Sequence, residues 1–145
     1  MEIVYIETSV VSLLVANPSR DLILAGHQEA TREWGDEERP YYRCVTSNEV
    51  VREASLGDPE MSRRRLEALT GMPILLVTDE ARLLAKDLLA QKVLPPTVLA
   101  DAIHAATASI HQANYLLTWK LPASGQPASP EETALLYGGA RIDSA

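Results

Sequence analysis

Three acids interrupt apolar stretches of this chain. Glu7 follows Ile3-Val4-Tyr5-Ile6 directly, Glu53 lies in the segment after the apolar run Tyr42 to Thr46, and Asp101 sits among Ala100, Ala102 and Ile103. A charge in such surroundings is expensive unless a cation or hydrogen-bond donors compensate it. Three carboxylates brought within about 4 to 5 Å would repel by a few kcal/mol per pair at an effective dielectric of about 20, so such a cluster calls for a divalent cation. Carboxylate oxygens with room for water suit Mg²⁺ or Mn²⁺ better than Zn²⁺. The natural reaction of such a site is hydrolysis of a phosphodiester, with the metal activating water and neutralising charge on the phosphate. Glu7, Glu53 and Asp101 are the acids such a cluster would draw on.

Each acid also has a plainer use. Glu7 can favour the first turn of the following helix, Asp101 can cap its own helix, and Glu53 can be a solvated surface acid. Glu49 stands four residues before Glu53 on much the same helix face, and spacing alone does not choose between them. Thr8 and Ser9 suit either helix capping or the orienting of a metal-bound water or a phosphate. His104, three residues after Asp101, and His111 are assigned structural roles, and His27 has no acidic partner in the pattern.

The elements that must position these acids are short. Ile3 to Ile6, Tyr42 to Thr46, Ile74 to Val77 and Tyr115 to Thr118 read as strands. Between them lie helical patterns at Val10 to Val15, Asp21 to Glu33, Asn48 to Leu56 after Ser47, Pro59 to Leu69, and Asp79 to Leu89. The last of these places Leu83, Leu84, Leu88 and Leu89 on one side, with Arg82 and Lys86 outward. Ala100 to Ala108 carries small residues nearly all round and predicts a buried helix in close contact with its neighbours. The alternation predicts an α/β fold with a central parallel sheet, right-handed crossovers and a ligand crevice beyond the carboxyl ends of the strands.

The chain has 145 residues, the size of one domain. Its 46% hydrophobic and 23% charged residues are globular proportions, and it holds no apolar stretch long enough to span a bilayer. No leader pattern marks the start, and the lone Cys44 excludes an internal disulfide and fits a reducing cytoplasm. The net charge of −7 excludes a protein that holds nucleic acid by a broad basic surface. Arg52, Arg63-Arg64-Arg65, Arg82 and Lys86 suit either a local basic strip or the plain solvation of helix faces.

Tyr5-Ile6-Glu7-Thr8-Ser9-Val10, then Ser47 with Glu53 six residues on, then Ala100-Asp101-Ala102-Ile103-His104-Ala105-Ala106, then Tyr115-Leu116-Leu117-Thr118-Trp119, resembles PIN-domain proteins of the VapC toxin type. The resemblance covers residues 1–119. It implies a three-layer α/β/α domain that gathers Glu7, Glu53 and Asp101 around Mg²⁺ or Mn²⁺ and cuts RNA, with Glu7 and Asp101 as direct ligands, Glu53 as a ligand through water or an orienter, and Thr118 with Ser9 as polar lining. It also implies an antitoxin partner and a homodimer. The family usually has aspartate where this chain has Glu7, which moves the carboxylate by one methylene.

Residues 120–145 depart further. Relatives commonly continue Trp-Asn-Cys-Arg-His-Ile-Ala-Asn, whereas this chain reads Trp119-Lys120-Leu121-Pro122-Ala123-Ser124-Gly125-Gln126 and then a turn-rich, aperiodic tail. With suitable codons, removing one base from the lysine codon restores Asn-Cys-Arg-His-Arg-Ala-Asn. The hypothesis is a shifted reading frame from residue 120, which the gene sequence would test. On that reading the C-terminal element of the fold is atypical or missing, and Lys120 brings a cation beside the acids. The expected function is an impaired metal-dependent ribonuclease of a toxin–antitoxin system. The alternative is a non-catalytic fold of the same kind that binds an antitoxin or its own copy.

Overall fold

The computed structural model describes residues 1–91 and 99–120. Strand β1 (Ile3–Ile6) ends at Glu7, which caps helix α1 (Thr8–Val15). Helix α2 (Leu22–Glu33) starts from Asp21, whose carboxylate accepts the Leu24 N–H at 2.9 Å. It runs on through a π-helical turn (Trp34–Glu38) and a 3-10 turn (Arg39–Tyr41) into strand β2 (Arg43–Ser47). Ser47, Asp58 and Thr78 cap helices α3 (Asn48–Ala54), α4 (Pro59–Ala68) and α5 (Asp79–Ala90), with the short strand β3 (Ile74–Leu75) between the last two. Helix α6 (Leu99–Ile110) and strand β4 (Tyr115–Leu117) follow. Each cap takes up an N–H that the first helical turn cannot satisfy itself.

The four strands form one parallel sheet in the order β3-β2-β1-β4, an α/β arrangement as expected. Tyr5 pairs with Val45 on one side and Leu116 on the other, so β1 is central. The chain adds β2 and β3 on one side of β1 and then crosses to place β4 on the other. Strand order therefore reverses between β1 and β4, where open α/β sheets form their ligand crevice. Glu7 leaves one of these strands and Thr118 the other.

The main core joins Val4, Tyr5, Ile6, Val10, Val11, Val45, Val50, Leu69, Leu116 and Leu117, while α5 and α6 make a second cluster around Ala81, Ala85, Ala102, Ile103 and Ala106. The expected face of α5 holds for Leu84, Leu88 and Leu89, which pack against this cluster, and for the outward Arg82 and Lys86, and is corrected at Leu83. Ala81 and Ala85 are fully buried, and Leu83 is 63% exposed. Two helices approach most closely where their side chains are smallest, so the alanines meet and the leucines flank them. Strands β2, β3 and β4 also differ by one or two residues from their expected bounds, because ladder pairing rather than the apolar run ends a strand. The expectations for residues 121–145, including the altered tail, lie outside the described residues.

The arginines are mostly engaged. Arg63 and Arg64 pair with Glu60, Arg63 also pairs with Glu67, and Arg52 with Glu49. Arg65 donates to the carbonyls of Ala54 and Leu56 at 3.1 and 2.6 Å, closing the end of α3 before the turn at Gly57, whose φ is +85°. Charge-assisted bonds to otherwise unsatisfied carbonyls are the stronger kind. Arg65→Ala is expected to cost about 1–2 kcal/mol in denaturant unfolding, with Arg63→Ala leaving the midpoint unchanged; equal effects would remove the distinction. Among the described residues, no helix is long and apolar enough to cross a membrane.

Candidate metal centre

Glu7 is 2% exposed and bound from one side only. Its Oε2 accepts the Ser9 N–H at 3.0 Å, the Ser9 hydroxyl, and the Thr118 hydroxyl at 2.8 Å. Ser9 is held in turn by the Trp119 N–H at 2.9 Å, and Thr118 by the Lys120 N–H at 3.1 Å. The other oxygen, Oε1, is buried with no hydrogen-bond partner among the described residues. Three donors thus clamp the carboxylate and leave its second oxygen bare, an arrangement costly in a folded protein unless something positive is bound there. Glu7 therefore caps α1, its plainer use, and does so at the point where strand order reverses. Ser9 and Thr118, the expected polar lining, are the groups that hold it.

Glu53 comes in from α3. Its Oε1 accepts the Thr8 hydroxyl at 2.7 Å and lies 2.5 Å from Nε2 of His104. Glu49, the competing acid, is paired with Arg52 at 2.6 Å. The structure brings Glu7, Glu53 and His104 together, with one ligand atom from each within 4.8 Å of the others. Such a group could hold a metal ion, and the unpartnered Glu7 oxygen is a donor that such an ion would use.

His104, expected to be structural, is enclosed and hydrogen-bonded as such a residue would be, and it also reaches the candidate site. The residue is 1% exposed, and its Nδ1 is 2.7 Å from the Tyr5 hydroxyl, which is 2.6 Å from the Ser47 hydroxyl. Ser47 also accepts the Val50 N–H at 3.2 Å. A buried chain therefore runs Ser47–Tyr5–His104–Glu53 into the centre of the group. Its sequence signal was the spacing of His104 three residues after Asp101, which puts both on one side of α6. Tyr5 and Ser47 carried no comparable signal, because a tyrosine in an apolar strand and a serine before a helix read as core and cap. Burial pushes the Tyr5 hydroxyl far above the phenol range, and the nearby Glu7 and Glu53 add to the effect against the Ser47 bond. Tyr5 keeps its proton and serves as a hydrogen-bonding group. His111 is structural as expected, its Nε2 lying 2.8 Å from the Leu76 carbonyl, and His27 stacks on Trp119 at 4.2 Å between ring centroids.

Asp101 falls in the first turn of α6, outside the three residues that meet within 4.8 Å. Its Oδ1 is 3.7 Å from the Lys120 ammonium, with the two side chains 13% and 46% exposed. Glu7, Thr118, Lys120 and Asp101 thus follow one another by contact at the same end of the sheet.

Burial tends to raise the Glu53 carboxyl pKa, but hydrogen bonds from His104 and Thr8 and the charges of His104 and Lys120 outweigh it and hold it below the ordinary carboxylate range. Because the folded value is the lower one, the unfolded chain takes up the proton first. The stability this contributes is complete above the ordinary carboxylate range and is lost as pH falls through the folded value. Glu53→Gln is accordingly expected to flatten the acid limb of the melting temperature against pH in chelator-treated protein. An unchanged limb would mean that other acids govern it.

No protein-family model, curated protein or solved structure matches this chain.

Proposed function

We propose that the chain is a metal-dependent ribonuclease of the PIN type, a three-layer α/β/α domain of the VapC toxin class, working at reduced rate because Lys120 stands beside its acids. One observation carries the reading: at the point where strand order reverses, Glu7 is buried with one oxygen triply bound and the other bare, within reach of Glu53 and His104. Mg²⁺ or Mn²⁺ held by these residues would supply Lewis-acid stabilisation of the charge that builds on a phosphodiester during hydrolysis.

The rest falls to the chain's own side chains. Ser9 and Thr118 fix the direction of Glu7, and Thr8 fixes Glu53. Asp101 stands ready to orient water or substrate once Lys120 releases it. The site lies in a protein of net charge −7, so RNA is gripped by a few local donors rather than by a broad basic surface. Leu22 and Ile23, 88% and 73% exposed at the start of α2, offer apolar surface to an antitoxin or a second copy in the cytoplasm.

The test is incubation of the purified chain with mixed-sequence single-stranded RNA and Mn²⁺. Cleavage that stops on chelation and is lost in Asp101→Asn supports the assignment. Intact RNA in Mn²⁺, or cleavage that persists in chelator, overturns it.

A further inference from the structure

The identity of the third ligand has a chemical consequence for the ion. We infer that His104 is a nitrogen ligand whose partner chain through Tyr5 and Ser47 is built to support it, and that the centre therefore selects a first-row transition dication, Mn²⁺ being the probe, over Mg²⁺. The inference rests on the metal-centre part of the proposed function and not on cleavage of RNA.

Three observations carry it. First, Glu7 Oε1 is buried and bare, so the group is short of a positive charge rather than a surplus of unrelated acids. Second, the atom of His104 that faces Glu53 is Nε2, and the opposite ring nitrogen is bonded to Tyr5. A ligating imidazole binds through one nitrogen and keeps its proton on the other, where an acceptor holds the ring in orientation. Tyr5 can be that acceptor while donating its own proton to Ser47, at 2.7 and 2.6 Å. Without the ion the same chain can run in the opposite direction, with Ser47 donating to Tyr5, Tyr5 to Nδ1, and Nε2–H to Glu53. Third, Tyr5, Ser47 and His104 are all buried to within 1% of full enclosure, so the chain has a fixed set of partners.

Nitrogen changes the ion. Mg²⁺ prefers an all-oxygen shell rich in water, whereas imidazole suits the transition ions. Two glutamates and one histidine make a mixed shell in which Mn²⁺ gains from the nitrogen and Mg²⁺ gains little. The oxygen-only preference read from the sequence assumed a peripheral histidine, and the fold makes that histidine central.

The experiment is metal binding by the full chain without RNA, using Mn²⁺ and Mg²⁺ alone. Wild-type protein is expected to bind Mn²⁺ at least about tenfold more tightly than Mg²⁺. The electron spin echo of bound Mn²⁺ is expected to carry nitrogen modulation from a coordinated imidazole. His104→Asn should lose the preference for Mn²⁺ while changing Mg²⁺ affinity little, and Tyr5→Phe should weaken Mn²⁺ binding about tenfold or more. Equal affinities for the two ions, or Mn²⁺ bound without nitrogen modulation, would overturn the inference. The echo measurement uses wild-type protein, so it decides even where a variant fails to fold. Nitrogen-bound Mn²⁺ with no RNA cleavage would uphold this inference and sink the ribonuclease reading; cleavage by a centre without nitrogen modulation would do the reverse.

Discussion

Glu7→Gln is expected to abolish the response to Mn²⁺ without lowering the stability of the metal-free protein. Glutamine keeps the length of the side chain and a carbonyl that can still accept from Ser9 and Thr118, so the cap on α1 survives. What disappears is the charge at Oε1, which is buried and bare. An unsatisfied buried polar atom costs about 1–3 kcal/mol and a charged one more, so exchanging the bare charged oxygen for a neutral NH2, itself unpaired there, should leave the melting temperature in chelator close to that of wild type. In wild-type protein, Mn²⁺ at about 100 times its dissociation constant should add about 2.7 kcal/mol, a rise on the order of 10 °C for a domain of this size. The variant should gain none, and RNA cleavage should fall at least about a hundredfold. If instead the metal-free variant melts far below wild type, and wild type ignores Mn²⁺, then Glu7 is a helix cap and nothing more.

The second large effect is expected in the opposite direction. Lys120→Asn should tighten Mn²⁺ binding, because the ammonium 3.7 Å from Asp101 already supplies positive charge to the acids and repels an arriving cation. Lys120 is 46% exposed, so solvent screens much of its field. A contribution of roughly 1 kcal/mol corresponds to a gain in affinity of about three- to tenfold. The gain should shrink in high salt, where charges at the protein surface are screened. The metal-free variant should lose little stability for the same reason. Titration of both proteins with Mn²⁺ at two ionic strengths measures the effect, and identical affinities would show that Lys120 does not compete. Taken with the first variant, the result separates an acid that needs a cation from a side chain that partly replaces one.

These two residues also show where sequence reading reached and where it stopped. Glu7 was legible because the residue that ends a central strand has few directions in which to point, and the sheet carries it to the crevice. Thr118 was legible for the same reason at the end of β4. Glu53 and Glu49 were not separable, since both lie on one face of α3. The choice was made by Arg52, which pairs with Glu49, and by Thr8 and His104, which reach Glu53 from other elements. The face of α5 was legible for Leu84, Leu88 and Leu89 but misplaced Leu83, because periodicity weighs leucine above alanine, whereas close helix contact favours the smaller residue.

Local chemistry along the chain therefore determined the approximate strands, the cap of α3 at Ser47, the strand–helix alternation of an α/β architecture and the acids offered for a site. Those features depend on neighbours a few residues away, which a sequence displays directly. The order β3-β2-β1-β4, the entry of His104 with Tyr5 and Ser47 behind it, and the pairing of Asp101 with Lys120 were decided only by the tertiary structure. Hydrogen bonds between residues 42 and 99 positions apart depend on how helices and strands pack, and no local pattern in the chain encodes that distance.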